Sequence, residues 1–150
     1  MIVAGRAQID IGDCKKMAAD FKIEDRIIWN TSFIDEKDVS ELFGICDVVI
    51  LPHRHIDQSG VLMTAVNFSK PVIASNIGGF SEVIEDGKHG YLFNKGDSNH
   101  LAEKIKSILD EEKLPRMIEN VDELRKSWAS WESISSVTSQ IYFDAQLSHE

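Results

Sequence analysis

The stretch from Asp47 to Phe93 constrains the fold more than any other part of this chain. A short apolar run ends at Pro52, a polar loop follows, and a Ser59-Gly60 pair opens an apolar segment of helical length. Short apolar runs that alternate with helical segments are typical of parallel sheets. Ligands bind open parallel sheets at the carboxyl ends of the strands, so the polar residues after each run mark a candidate site.

The same alternation continues on both sides of this stretch. We predict strands at Ile2 to Gly5, Arg26 to Trp29, Val48 to Leu51, Pro71 to Ala74 and Tyr91 to Phe93. Apolar residues at helical spacing predict helices at about residues 10–22, 35–46, 61–68 and 81–85, and from about residues 98, 115 and 131 onward. The predicted fold is α/β, a Rossmann-like doubly wound parallel sheet, with residues 1–150 as one domain.

Charge and composition exclude several classes of protein. A net charge of −9 argues against a nucleic-acid backbone as the main partner, since that binding needs clustered Lys and Arg. No apolar run approaches the ~18 residues of a membrane span. Cys14 and Cys46 lack metal-type spacing, and we interpret them as free thiols in a reducing cytoplasm. Because the net charge is negative, a bound anion would be held by backbone amides and local dipoles.

Several residues at the predicted carboxyl edge are candidate ligand contacts. Ser59 is a favoured N-cap residue, and the amides of Gly60 and Val61 could hold an anion such as a phosphate. The Gly78-Gly79 pair predicts a tight turn after the next strand, and Glu82 falls in the first turn of the short helix that follows. Each feature also has a structural interpretation, as a helix cap, a turn or an acid favoured by the helix dipole.

The segment from His53 to Asp57 carries a competing signal. His53, His55 and Asp57 are spaced at i, i+2 and i+4, so they share one side of an extended chain and could bind one or two metal ions. This spacing resembles the start of the metallo-β-lactamase-type hydrolase motif. Gln58 stands where that motif has its next histidine. A metallohydrolase is therefore the alternative interpretation of this loop, and metal content would discriminate it.

The whole pattern resembles a known family. It contains Asp-Val-x-x-x-Pro from Asp47, Lys-Pro-Val-Ile-Ala-Ser from Lys70, and Gly-Gly-x-x-Glu-x-Ile-x-Asp-Gly-x-x-Gly-x-Leu-Phe from Gly78. This order is similar to the C-terminal domain of retaining, glycogen-synthase-like GT-B glycosyltransferases, a group with many bacterial polysaccharide and lipopolysaccharide enzymes. The resemblance implies that residues 1–150 are the nucleotide-sugar-binding half of a GT-B fold whose N-terminal acceptor domain is absent.

The resemblance also implies an activity. A sugar would pass from a nucleoside-diphosphate sugar, with UDP favoured over GDP, to a glycan or glycolipid acceptor bound through the N-terminal domain. No metal or other cofactor is implied. The full-length enzyme would be cytoplasmic or peripheral at the inner face of the membrane. The family's diphosphate-binding Arg and Lys precede Ile2, so we expect this chain alone to bind its donor weakly and to be inactive.

The family's donor-site positions can be carried over one by one. The family has two glutamates with seven residues between them, the first at the sugar hydroxyls and the second at the ribose. Counting back from Lys70, these positions are Ile56 and Thr64, so both carboxylates are missing. The resemblance places Thr64 near the ribose. Because the glutamates are missing, a non-catalytic nucleotide-binding or interaction domain is a further interpretation.

The loop before the predicted helix matches a variant of the family pattern. Gln58 to Val61 match a Gln-Ser-Gly-Val version of the loop, which places Ser59, Gly60 and Val61 on the diphosphate. The same resemblance places Asp57 or Gln58 near the sugar. If His53 and His55 bind no metal, they are loop residues near the sugar or the cleft between the two domains. The resemblance also places Gly78, Gly79 and Glu82 in the wall of the cleft. We assign no residue of this chain as a catalytic base.

Overall fold

The computed structural model describes residues 1–55, 59–128 and 131–147. The chain divides into two compact units, Met1–Gly44 and Ile45–Glu150. Both units are built from short parallel strands and helices. Among the described helices, none is both long enough and apolar enough to cross a membrane.

The first unit contains one parallel pair of strands. Its elements are β1 (Ile2–Ala4), α1 (Gly12–Asp20), a 3₁₀ turn (Glu24–Arg26), β2 (Ile28–Asn30) and most of α2 (Glu36–Ile45). Val3 lies opposite Trp29 in the pair. β1 is one residue shorter than predicted, because Gly5 adopts a φ of +123° and leaves the extended conformation.

The second unit contains a three-stranded parallel sheet in the order β3-β4-β5. Its elements are β3 (Val49–Leu51), α3 (Gly60–Asn67), β4 (Val72–Ser75), α4 (Phe80–Val83), β5 (Gly90–Phe93), α5 (Ser98–Ile108), α6 (Lys113–Trp128) and α7 (Trp131–Leu147). Leu51 pairs with Ala74, and Ser75 pairs with Phe93. Parallel pairing therefore places the carboxyl ends of all three strands at one edge.

The predicted Rossmann-like α/β fold is confirmed. Each predicted strand and helix is present, and the bounds lie within two residues of those expected. The strands pair as β1-β2 and β3-β4-β5. α6 starts two residues before Pro115, because proline is tolerated in a first helical turn and Asp110 accepts hydrogen bonds from the Lys113 and Leu114 amides.

β4 forms the centre of the core. All four of its residues are buried, from Val72 to Ser75, as expected for a central parallel strand covered on both faces. On one face Ile73 packs with Phe93 of β5, Ile108 of α5 and Met117 of α6. These contacts attach both helices to the sheet.

A polar contact joins the end of α3 to α6. Ser69 Oγ donates a hydrogen bond to Asp122 Oδ1 at 2.9 Å, and Arg125 and Lys126 also donate to this carboxylate, at 2.7 and 2.6 Å. The bonds from Lys126, Arg125 and Ser69 hold the pKa of the Asp122 carboxyl well below its ordinary value. The network therefore keeps Asp122 charged and secures the C-terminal end of α3.

The pairing of β4 with β5 requires glycine at position 90. A Cβ atom there would lie 1.9 Å from the Val72 carbonyl oxygen, and Gly90 has a φ of +146°. An L-residue is therefore disfavoured by both the contact and the backbone conformation. The close approach brings the start of β5 against β4.

We predict that Gly90→Ala lowers the free energy of unfolding by about 3 kcal/mol or more, because it combines a backbone clash with left-handed strain. Urea denaturation followed by circular dichroism measures the change. Gly44→Ala, which introduces a Cβ into open space in α2, is the matched control and should stay within about 1 kcal/mol of wild type. Equal stability of the two variants would contradict the prediction.

His89 fixes the loop between α4 and β5. It is only 7% exposed, its Nδ1 atom accepts a hydrogen bond from the Glu85 amide at 3.3 Å, and its carbonyl oxygen accepts one from the Val72 amide. Burial, and secondly the nearby Lys88 charge, lower the pKa of His89 below its ordinary value. The folded protein therefore favours the neutral ring.

We predict that His89 makes stability depend on pH. Because the unfolded histidine binds a proton more readily, its contribution is complete above about pH 6.5 and is lost as pH falls through the lower pKa of the folded state. The free energy of unfolding should therefore decrease in this window, and His89→Gln should remove that decrease. The difference between the two proteins, measured by urea denaturation across the window, isolates the effect. A difference that does not change with pH would refute this role.

Candidate functional site

The start of α3 forms an anion-binding geometry at the carboxyl end of β3. Ser59 is the N-cap residue, and its Oγ accepts a hydrogen bond from the Leu62 amide at 3.2 Å. Its carbonyl oxygen accepts from the Met63 amide. Helix geometry leaves the amides of Gly60 and Val61 without an intrahelical acceptor. Both residues are exposed, so two N–H groups at the positive end of the helix are available to a ligand.

Thr64 lies one turn further along α3. Its Oγ1 donates a hydrogen bond to the Gly60 carbonyl oxygen at 2.9 Å. The hydroxyl proton is thus used inside the helix, and Thr64 can offer a ligand only the lone pairs of its oxygen. A ribose hydroxyl that donates a hydrogen bond would suit this arrangement.

The Gly78-Gly79 turn follows the carboxyl end of β4, the strand next to β3. Gly78 has a φ of +49°, which glycine adopts without strain, and Gly79 is the N-cap residue of α4. Ser81 Oγ donates back to the Gly78 carbonyl oxygen. Glu82 is exposed in the first turn of α4. The structure therefore brings the Gly78-Gly79 turn and Glu82 to the same sheet edge as the start of α3.

His53 contacts the start of α4. Its ring packs edge-on against the ring of Phe80, with the centroids 5.5 Å apart and the planes at 62°. Phe80 is the first residue of α4 and is fully buried. The sequence presented His53 as a candidate metal ligand or a loop residue, and its contact with a residue 27 positions away depends on the pairing of β3 with β4.

Some predicted site residues lie outside the described residues. Asp57 and Gln58 belong to the segment between 55 and 59, so their placement near a sugar stays a prediction. Within the ranges that the structure does describe, no group of three or more His, Cys, Asp or Glu side chains is arranged to hold a metal ion. His55 is exposed, and the proposed third ligand of the metallohydrolase alternative is Asp57.

A cavity of about 340 Å³ lies away from this edge. Lys88, Tyr91, Met117 and Asn120 are among its lining residues, and Asn120 Nδ2 donates to the Lys88 carbonyl oxygen at 3.0 Å. Lys88 precedes β5, so the cavity is at the amino end of that strand. It does not coincide with the candidate site, because none of its lining residues belongs to that site.

The fold and the free amides define a class of protein, a Rossmann-like α/β domain that can bind an anionic ligand at a helix N-terminus. Comparison with known proteins narrows this class. The sequence profile of the family described as glycosyl transferases group 1 matches residues 2–124. The chain belongs to this family.

Individual relatives support the assignment. N-acetyl-alpha-D-glucosaminyl L-malate synthase from Bacillus anthracis is 31% identical over 131 residues, which are 86% of this chain and 33% of that protein. The chain spans about a third of the length of the curated relatives it matches. The family match favours a glycosyltransferase over a metallohydrolase, which gains no support.

Solved structures confirm the fold. Anabaena Alr3699/HepE, crystallised with UDP, superposes with a TM-score of 0.78 at 23% identity, over 97% of this chain and 40% of that chain. The C-terminal domain of a glycosyl transferase group 1 family protein (LpcC) from Francisella tularensis has a TM-score of 0.74 at 22% identity, over 85% of this chain and 68% of that chain.

We predict that Ser59→Ala lowers the free energy of unfolding by about 1 kcal/mol, because the Leu62 amide loses its acceptor. Ser59→Gly is the matched control and should cost only a few tenths of a kcal/mol. Urea denaturation at neutral pH measures both. If Ala and Gly were equally stable at this position, the capping role of Ser59 would be wrong.

Proposed function

We propose that this chain is the donor-binding, C-terminal half of a retaining GT-B glycosyltransferase of the glycogen-synthase-like group. The enzyme would transfer a sugar from a nucleoside-diphosphate sugar to a glycan or glycolipid acceptor. The observation that carries the proposal is the family match over residues 2–124, on a fold that exposes the Gly60 and Val61 amides at the carboxyl edge. The similarity to a solved C-terminal domain supports the assignment to that half.

UDP is the proposed nucleotide. The solved complex of the similar Anabaena protein with UDP supports this choice. The diphosphate would accept hydrogen bonds from the amides of Gly60 and Val61, with Ser59 holding the turn. Thr64 would lie near the ribose. No resident metal or cofactor forms part of the proposed site, since the helix dipole and the amides supply its positive potential.

The remaining contacts follow from the family pattern. Asp57 or Gln58 would lie near the sugar, while Gly78, Gly79 and Glu82 would line the cleft wall. The acceptor would bind through an N-terminal domain, and the whole enzyme would act in the cytoplasm or at the inner membrane face. Because the family's two donor-site glutamates are replaced by Ile56 and Thr64, the amide contacts carry a larger share of donor binding.

The amide of Gly60 can be removed without disturbing the helix. Proline is favoured at the first helical position and has no N–H group, and the residue before it must be extended. Ser59 is already extended, with φ −129° and ψ 106°. Apart from its chain neighbours and its own helix backbone, no described residue has an atom within 4 Å of a Cβ atom at Gly60. Proline and alanine therefore both fit the backbone at this position.

We predict that Gly60→Pro weakens UDP binding about tenfold, because one charge-assisted hydrogen bond to the diphosphate is lost. Gly60→Ala keeps the amide and should bind within about threefold of wild type. Titration with UDP, followed in ¹H–¹⁵N correlation spectra, measures the affinity and reports the Val61 amide directly. GDP and UDP-glucose titrations compare the nucleotide and the sugar.

The alanine variant separates loss of the amide from loss of glycine. If proline and alanine bind UDP equally well, the Gly60 amide does not contact the diphosphate. If wild-type protein shows no response to UDP or to UDP-glucose at millimolar concentration, the proposed donor site itself is wrong for this chain.

A further inference from the structure

We propose that His53 is a donor-binding residue, and that its Nε2–H group donates a hydrogen bond to an oxygen atom of the bound nucleotide sugar. This role rests on the proposed function, since it requires a nucleotide sugar at the start of α3. It gives a specific contact to a residue that the sequence reasoning placed only in a loop near the sugar or the cleft. Three properties of the side chain support it: its position, the state of its two ring nitrogens and its cost to stability.

His53 lies at the carboxyl end of β3 and contacts the start of α4. It follows Leu51, the last residue of β3, by two positions. Its ring contacts Phe80, which begins α4 directly after Gly79. Since β3 and β4 are parallel neighbours, the ring stands at the carboxyl edge where open α/β sheets bind ligands.

The two ring nitrogens of His53 differ in their surroundings. Nδ1 is buried and has no hydrogen-bond partner among residues 1–55, 59–128 and 131–147. The residue as a whole is partly buried, and Nδ1 is its one nitrogen that is both buried and unpaired within those ranges. A neutral imidazole has one N–H group, and orphaned buried N–H groups are rarer than under-satisfied acceptors. We therefore place the proton on Nε2, where it can be donated to a ligand.

Burying Nδ1 without a hydrogen-bond partner lowers the stability of the folded protein, and the fold does not require it. A phenylalanine would make the same edge-on contact with Phe80 and would leave no buried polar atom unpaired. Unpaired buried polar groups in folded proteins call for an explanation, and functional sites are one place where such costs are retained. An Nε2–H group that donates to a bound ligand supplies a reason for histidine at this position.

Three substitutions separate the nitrogens from the ring. His53→Phe keeps the ring contact and removes both nitrogens. His53→Gln places an amide group near the position of Nε2, whereas His53→Asn places one near the position of Nδ1 and leaves the Nε2 position empty. The full chain carries each change. Thermal unfolding gives Tm, and titration with UDP and with UDP-glucose gives two affinities.

We expect His53→Phe to raise Tm and to weaken UDP-glucose binding about tenfold, since it removes the unpaired Nδ1 and the donating Nε2–H together. His53→Asn should weaken binding similarly, and His53→Gln should stay within about threefold of wild type. If only UDP-glucose is affected, the accepting oxygen belongs to the sugar. If UDP is affected equally, it belongs to the diphosphate.

The tautomer has its own test. Long-range ¹H–¹⁵N spectra at about pH 8, above the ordinary titration of histidine, distinguish protonated from unprotonated ring nitrogens. We expect the proton on Nε2, and a change in the Nε2 signal when UDP-glucose is added. A proton on Nδ1 in the free protein would overturn the proposal.

The binding data distinguish failure of this inference from failure of the proposed function. If the Gly60 and Val61 amides respond to UDP-glucose while His53→Phe and His53→Asn bind as wild type, the role of His53 is wrong and the donor site stands. If wild-type protein does not bind, both are wrong. Should His53→Phe fail to fold, the comparison of Asn with Gln decides the role.

Discussion

β4 is the strand on which the rest of the second unit depends, because its backbone is paired on both edges while both of its faces are buried. Its four residues are at most 1% exposed. β3 pairs along one edge and β5 along the other, so the register of both strands is set relative to β4. At β5 the pairing is close enough that only glycine fits, since the Val72 carbonyl occupies the space of a Cβ atom at Gly90.

The candidate site follows from this sheet. Because β3 and β4 are parallel, both strands end at the same edge of the sheet. The turns that begin α3 and α4 follow at that edge. The chain carries a net charge of −9, so a phosphate group would not be attracted by the charge of the whole molecule. Free amides at a helix N-terminus provide a local positive potential instead. An anion at the candidate site would therefore be held by geometry at one edge, where Ser59 shapes the turn.

Local signals predicted much of this arrangement. The apolar periodicity located each strand and helix, and the N-cap role of Ser59 followed from residue type and position. Contacts between distant residues were not predictable in the same way. Ser69 bonds to Asp122 across 53 positions, and His53 meets Phe80 across 27. These pairs depend on strand order and helix packing, which single-residue preferences do not encode.

The sequence by itself determined the order of the elements, the cap of α3, the glycine turn before α4 and the family to which the chain belongs. These features depend on backbone hydrogen bonding and apolar spacing within short segments. Only the tertiary structure decided that the Thr64 proton is used by the Gly60 carbonyl, that His53 buries one ring nitrogen, and that Gly90 cannot carry a side chain. These properties depend on which atoms become neighbours when the strands pair and the helices pack, and packing is decided by the whole unit at once.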